Sequence, residues 1–111
     1  MAERPDTDGP IVTIFRSRLR PGVDREYASS ADRLLELARS QPGFVSFEHY
    51  AAADGERVSI ITFASVAEHE AWRDHPQHVE AQRLGRERFY AEFRIQVCRP
   101  TGDRRFVHGE V

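Results

Sequence analysis

Four stretches of this chain alternate like β-strands, and the segments between them repeat like helices. That order limits the available folds more than any single residue does. Ile11 to Leu19 is rich in β-branched residues and stops at the turn signal Arg20-Pro21-Gly22. Phe44 to Ala51 and Arg57 to Ala64 flank an Asp54-Gly55 hairpin turn. Glu92 to Arg99 is the fourth stretch, with Phe93, Ile95 and Val97 on one face. Tyr27, Ala31, Leu34, Leu35 and Ala38 recur at three- and four-residue steps, predicting a helix over about 24–41, capped by Asp24 and stopped by Pro42-Gly43. Ser65 or a neighbour caps a short helix over about 66–74, and a longer one runs from Pro76 to about Tyr90. The order β-α-β-β-α-β predicts an α+β, ferredoxin-like split: a four-stranded antiparallel sheet with helices on one face.

The strands are apolar on both sides. Ile11, Thr13 and Phe15 share one face of the first strand, and Val12 and Ile14 share the other. In the second, Val45, Phe47 and His49 oppose Phe44, Ser46, Glu48 and Tyr50. In the third, Val58, Ile60 and Thr62 oppose Ile61 and Phe63. Helices on one face leave the other bare, and a bare apolar face of that size needs a cover. The simplest cover is the same face of a second copy, so the expected partner is a homodimer of two sheets.

The 111 residues suit one domain, read as a flexible segment 1–9, a folded domain 10–100 and a tail 101–111. The tail is read either as disordered or as an arm added to a partner. A net charge of −2 gives no electrostatic case for nucleic acid or an anionic membrane. No apolar run approaches the ~20 residues of a membrane helix. The first ten residues lack a signal-peptide core, so a cytoplasmic location is expected. The single cysteine, Cys98, excludes an internal disulfide and a cysteine metal cage. The sequence has no lysine, which excludes Schiff-base chemistry, and no asparagine.

Candidate chemistry gathers at Ala71-Trp72-Arg73-Asp74-His75-Pro76-Gln77-His78. Pro76 disfavours helical geometry at His75 and suits the first position of a new helix, so a helix junction is predicted there. Trp72 reads either as a pocket wall or as core filling. His75 reads as a base or donor at a pocket mouth, or as a helix cap. His78 lies in a first helical turn, where the positive dipole end disfavours its protonation; it is a neutral base or a surface histidine. His49, on the Val45 and Phe47 face, is a hydrogen-bonded core residue or a titratable base in an apolar cavity. No metal site stands out: His69-Glu70-Ala71-Trp72-Arg73 puts Arg73 where a zinc motif needs a second histidine.

The element order, with Arg20-Pro21-Gly22, Gln41-Pro42-Gly43-Phe44, Trp72 to His78 and the closing stretch Tyr90 to Val97, resembles the antibiotic biosynthesis monooxygenase family over about residues 10–100. The resemblance implies a dimeric α/β barrel. It also implies a cofactor-independent oxygenase acting with dioxygen on a small aromatic, quinol or polyketide-type substrate, with no metal or flavin. Trp72, His75, His78 and His49 are then the candidate catalytic residues. The anthrone-type members pair their Trp with an Asn that this sequence lacks. The haem-degrading branch places a His ten residues after the Trp, where Gln82 stands here. Two other readings of the scaffold stay open: a non-catalytic small-molecule binding or stress protein, and a non-oxidative isomerase or cyclase.

Overall fold

The structure is a computed structural model that describes residues 9–109. The expected N-terminal segment 1–9 lies outside the described residues except for Gly9. The elements follow the expected order. They are β1 (Ile11–Leu19), α1 (Asp24–Arg39), β2 (Phe44–Ala51), β3 (Arg57–Phe63), α2 (Val66–Arg73), α3 (Pro76–Leu84) and β4 (Tyr90–Cys98), with a π-helical turn at Gly85–Phe89 before β4. The four strands form one antiparallel sheet in the order β2-β3-β1-β4, as the ferredoxin-like reading requires.

Strand register decides which side chains the helices cover. Ile11 lies opposite Phe63, Thr13 opposite Ile61 and Val97, and Phe15 opposite Ser59 and Ile95. These residues share the helix-facing side, as their parity predicts. Val12, Ile14, Val58 and Ile60 take the other side. One position departs from simple alternation. A bulge between Phe44 and Ser46 places Phe44 opposite Phe63, and the two rings meet edge to face at 6.0 Å. Phe44 therefore joins the core, although strict period-two counting from Phe47 assigns it to the bare face, while Val45 is exposed.

The core sits between the sheet and the helices. Ala38, Phe63 and Trp72 are buried, with Leu34, Leu37, Phe44 and Ile61 packed around them. Asp24 is the first helical residue of α1 rather than its cap; Val23 precedes it and gives no side-chain bond. Ser65 does cap α2. Its hydroxyl accepts from the Glu68 N–H at 3.2 Å and donates to the Glu68 carboxylate at 3.0 Å, a reciprocal capping arrangement. Gly43 beside it has φ +80°, and a side chain there would collide with Glu68. That explains the glycine in Pro42-Gly43 beyond its part in stopping the helix.

The long final helix expected from Pro76 to Tyr90 ends early. At Gly85 the chain widens into the π turn and enters β4 at Tyr90. Arg20 holds this turn together. Its backbone N–H donates to Phe89 at 2.7 Å. Its guanidinium donates to the carbonyls of Tyr90, Glu87 and Arg86 at 3.1, 2.9 and 3.1 Å. A helix end leaves carbonyls without partners, and one arginine from the β1–α1 turn supplies them. Beyond β4, residues 99–109 form neither helix nor strand, and Phe106 is 84% exposed.

Candidate active site between the sheet and the helices

A cavity of about 390 Å³ lies between the sheet and the helices. Its floor comes from Thr13, Phe15, Phe47, Ser59 and Ile61, and its roof from Tyr27, Ala31 and Leu34 of α1. His69, Trp72 and Arg73 on α2, with His78 and Gln82 on α3, close one side. Phe93, Ile95 and Val97 of β4 line the opposite rim and remain 41%, 43% and 56% exposed, so the cavity opens along this edge strand. Size and lining suit a small, flat, mainly apolar molecule held by a few polar groups.

The Trp72 to His78 junction forms as Pro76 dictates. α2 stops at Arg73, His75 is extended at ψ 130°, and Pro76 opens α3. His75 serves as the cap of α3: its Nδ1 accepts the Gln77 N–H at 3.1 Å, and the ring does not line the cavity. Trp72 is buried and stacks on Phe63 at 6.1 Å, while one side reaches the cavity. It is at once core and wall.

His78 is the most constrained of the four candidates. Its ring stacks on the Trp72 indole, centroids 4.3 Å apart and planes 12° from parallel. Its Nδ1 is 3.0 Å from the Trp72 carbonyl. A carbonyl only accepts, so Nδ1 carries the proton and Nε2 is left as a lone pair. Burial pushes the imidazole below its ordinary value, against the opposing pull of the Trp72 carbonyl. The result is a neutral base of fixed tautomer on an aromatic plate.

His49 lies on the helix-facing side by register, opposite Ser59, and its Nδ1 is 3.0 Å from the Ser59 hydroxyl. The residue is exposed and does not itself line the cavity; buried Ser59 does. Partial desolvation and then the nearby Arg57 charge lower its pKa. The structure therefore brings Trp72 and His78 together, connects His49 to the cavity through a hydroxyl, and leaves His75 in a capping position.

Several lining residues escaped sequence reasoning. His69 sits one helical turn before Trp72 on the same face; that i, i+3 spacing was the available signal. Desolvation, followed by the Arg73 charge, lowers its pKa. Tyr27 had the buried-face spacing but reads as core. Tyr90 reads as the end of a helix and is instead the first residue of β4. Among the described residues, no three His, Cys, Asp or Glu side chains gather as a metal-binding group, and no helix is long and apolar enough to cross a membrane.

Comparison with known proteins agrees with this architecture. The Bacillus subtilis (strain 168) protein YqjZ, itself uncharacterised, is 29% identical over 97 residues, covering 87% of this chain and 85% of its own. Rv0793 from Mycobacterium tuberculosis superposes with a TM-score of 0.77 at 22% identity, over 86% of this chain and 98% of that one. SnoaB, a cofactor-independent oxygenase from Streptomyces nogalater, superposes with a TM-score of 0.70 at 16% identity, over 92% of this chain and 99% of that one. At these identities the solved structures share the fold. The family model described as antibiotic biosynthesis monooxygenase matches residues 10–84, which is most of the folded domain, and the chain belongs to that family.

Proposed function

We propose that this protein is a cofactor-independent monooxygenase whose substrate is a small phenolic, quinol or polyketide-type aromatic bound in the cavity beneath α1 and α3. One observation carries the reading: His78 lines a mainly apolar cavity with its Nδ1 proton committed to the Trp72 carbonyl, which leaves Nε2 as the basic atom of the ring. His78 takes a proton from the bound substrate. The resulting electron-rich anion passes an electron to dioxygen, and the two radicals join as a carbon-bound peroxide. Loss of water from a peroxide on a former methylene leaves a carbonyl, so one oxygen atom enters the product and the other leaves as water. Trp72 orients the imidazole and the flat substrate. His49 is the second candidate base, acting through Ser59, and His75 holds the helix junction. Family membership supports the reaction class; the substrate is inferred from the cavity.

The test is oxygen uptake by the purified protein with a panel of anthrones and quinols, without added metal. Turnover that His78→Gln lowers at least a hundredfold supports the proposal. A rate that His78→Gln and Trp72→Phe both leave unchanged refutes this site. A second reading draws on the same base together with a phenol elsewhere in the cavity, Tyr90, that burial keeps protonated. A base and an acid in one cavity suit an isomerase or cyclase. Solvent deuterium entering a ligand without oxygen uptake would favour it.

We also infer a homodimer through the uncovered side of the sheet, where Val12, Ile14, Val58 and Ile60 lie together across β1 and β3. Face-to-face packing of two such sheets removes this apolar surface from water. Sedimentation at micromolar concentration should give twice the chain mass, and a monomer there would overturn it.

A further inference from the structure

The His78 end accounts for only part of the cavity's polar lining. Tyr27 and Tyr90 also line it, with ring centroids 5.9 Å apart. Tyr90 packs edge-on against Phe15 at 5.3 Å and against Phe93 at 5.7 Å. Behind Tyr27, the Arg57 guanidinium lies over its ring, 5.1 Å from the centroid. Arg57 Nε is buried and has no hydrogen-bond partner among the described residues. A cation on the ring face draws density from the phenol and makes its hydroxyl a stronger donor. Burial and the neighbouring Tyr27 phenol push the Tyr90 phenol well above its usual range, so it keeps its proton at any physiological pH. The two phenols are hydrogen-bonded to each other in a mainly apolar wall, so one of their two hydroxyl protons is left to offer. A buried hydroxyl donor of this kind is costly to leave without an acceptor.

Their position along the sheet matters. Trp72, which carries His78, stacks on Phe63, the strand partner of Ile11. Tyr90 packs on Phe15, four residues further along β1. At the rise of an extended strand those levels are ~13 Å apart. A separation of that order along the sheet is longer than a single hydroxylated ring and comparable to two or three fused rings.

We propose that Tyr27 and Tyr90 form an oxygen-binding end of the cavity, opposite His78, that selects fused-ring aromatics with an oxygen at each end over those with one. The inference rests on the cavity being the substrate site and adds the feature that decides which aromatics enter. One substrate oxygen meets His78 and loses its proton; the other accepts from the tyrosines. Arg57 positions Tyr27 and does not touch the ligand.

Calorimetry under anaerobic conditions isolates this end from any reaction. The probes are 2-naphthol and 2,6-dihydroxynaphthalene, which differ by one hydroxyl at the far end of the same ring system. The wild-type chain should bind the diol about tenfold more tightly, as one retained hydrogen bond implies. Tyr27→Phe/Tyr90→Phe should bind 2-naphthol as the wild type does and lose the preference. Tyr27→Phe alone, which keeps a ring under Arg57, should lose part of it and carries the test if the double variant unfolds. Equal binding of the two probes by wild type, a preference that survives Tyr→Phe, or binding of neither probe overturns the proposal. Oxygen uptake with the diol is read separately. Preference without uptake removes the oxygenase reading and leaves the tyrosine end standing; uptake without preference does the reverse.

Discussion

Replacing Gly85 with alanine sets two effects of opposite sign against each other. Gly85 is buried with φ −59° and ψ −46°, an ordinary helical conformation. On backbone grounds alone, alanine there gains about 1 kcal/mol. The Tyr90 ring, however, occupies the space. A Cβ on residue 85 would lie 2.5 Å from Tyr90 Cε2 and 2.9 Å from Cδ2. Tyr90 has little room to retreat, because Phe15, Tyr27 and Phe93 surround its ring at 5.3 to 5.9 Å between centroids. Overpacking costs about 1–3 kcal/mol, and a contact this short against a hemmed-in ring belongs to the upper part of that range, about 2–3 kcal/mol, so the clash wins and Gly85→Ala should destabilise by roughly 1–2 kcal/mol. For a domain of this size that is a fall in Tm of roughly 5–15 °C. Thermal unfolding by circular dichroism reads it directly. Gly102→Ala, with nothing near its Cβ position, is the control and should move Tm little. On a Tyr90→Ala background the added methyl meets no ring, and Gly85→Ala should become neutral or stabilising. If Gly85→Ala matches or exceeds wild-type stability in the native background, the close approach of Tyr90 is not what keeps a glycine there.

Three further outcomes follow from the same geometry. Because the folded pKa of His78 lies below its ordinary 6.5, activity should rise with pH along an acid limb centred below 6.5 and then level off; a limb above 6.5 in the free-enzyme profile would rule out His78 as the base. His49, His69 and His78 all have lowered folded pKa values. The unfolded chain therefore binds protons first as pH falls, and stability should be greatest above 6.5 and decline as pH drops through and below it; urea midpoints at pH 7.5 and 5.5 check the sign. Ser65→Ala removes the cap of α2 and should cost about 1 kcal/mol, measured by urea unfolding, while Ser29→Ala on the exposed side of α1 should cost little.

The fold was readable from local chemistry where local chemistry dominates. β-branched runs, the Asp54-Gly55 turn and the Pro76 break each act within a few residues, and the elements they predict are present. Side-chain parity also grouped the residues that form the cavity floor, without telling which face the helices cover, because one register holds across β1, β3 and β4. The misreadings arise where tertiary contacts override local pattern. The bulge at Val45 transfers Phe44 to the core, and no period reveals a bulge in advance. The helix after Pro76 reads as continuous to Tyr90, because the contacts that hold the π turn ending it, among them those of Arg20 to its carbonyls and of Tyr27 to Phe89, come from residues distant in sequence. The arginines of this stretch divide between the surface and the cavity. Arg83 pairs with Glu80 and Glu87, and Arg88 with Glu26, but Arg86 reaches the cavity. At the site, Trp72 and His78 were legible as a pair on one junction. Tyr27, Tyr90 and His69 were not, since a cavity between layers is assembled from elements that each look like plain core.

The strand order has a consequence for how the molecule assembles over time. β2 and β3 are joined by a tight turn and pair locally, so they can form as soon as both have been made. β4 pairs only with β1, from which nearly the whole domain separates it along the chain, and no strand lies on its other side among the described residues. Closing that ladder is the most distant pairing in the sheet and carries the largest loop-closure entropy. On this ground the β1–β4 ladder is expected to zip last during folding. Its amides on the solvent edge should exchange fastest among the strands, and transient release of β4 would withdraw Tyr90 from the cavity while the β2–β3 hairpin and the Trp72 core stay intact.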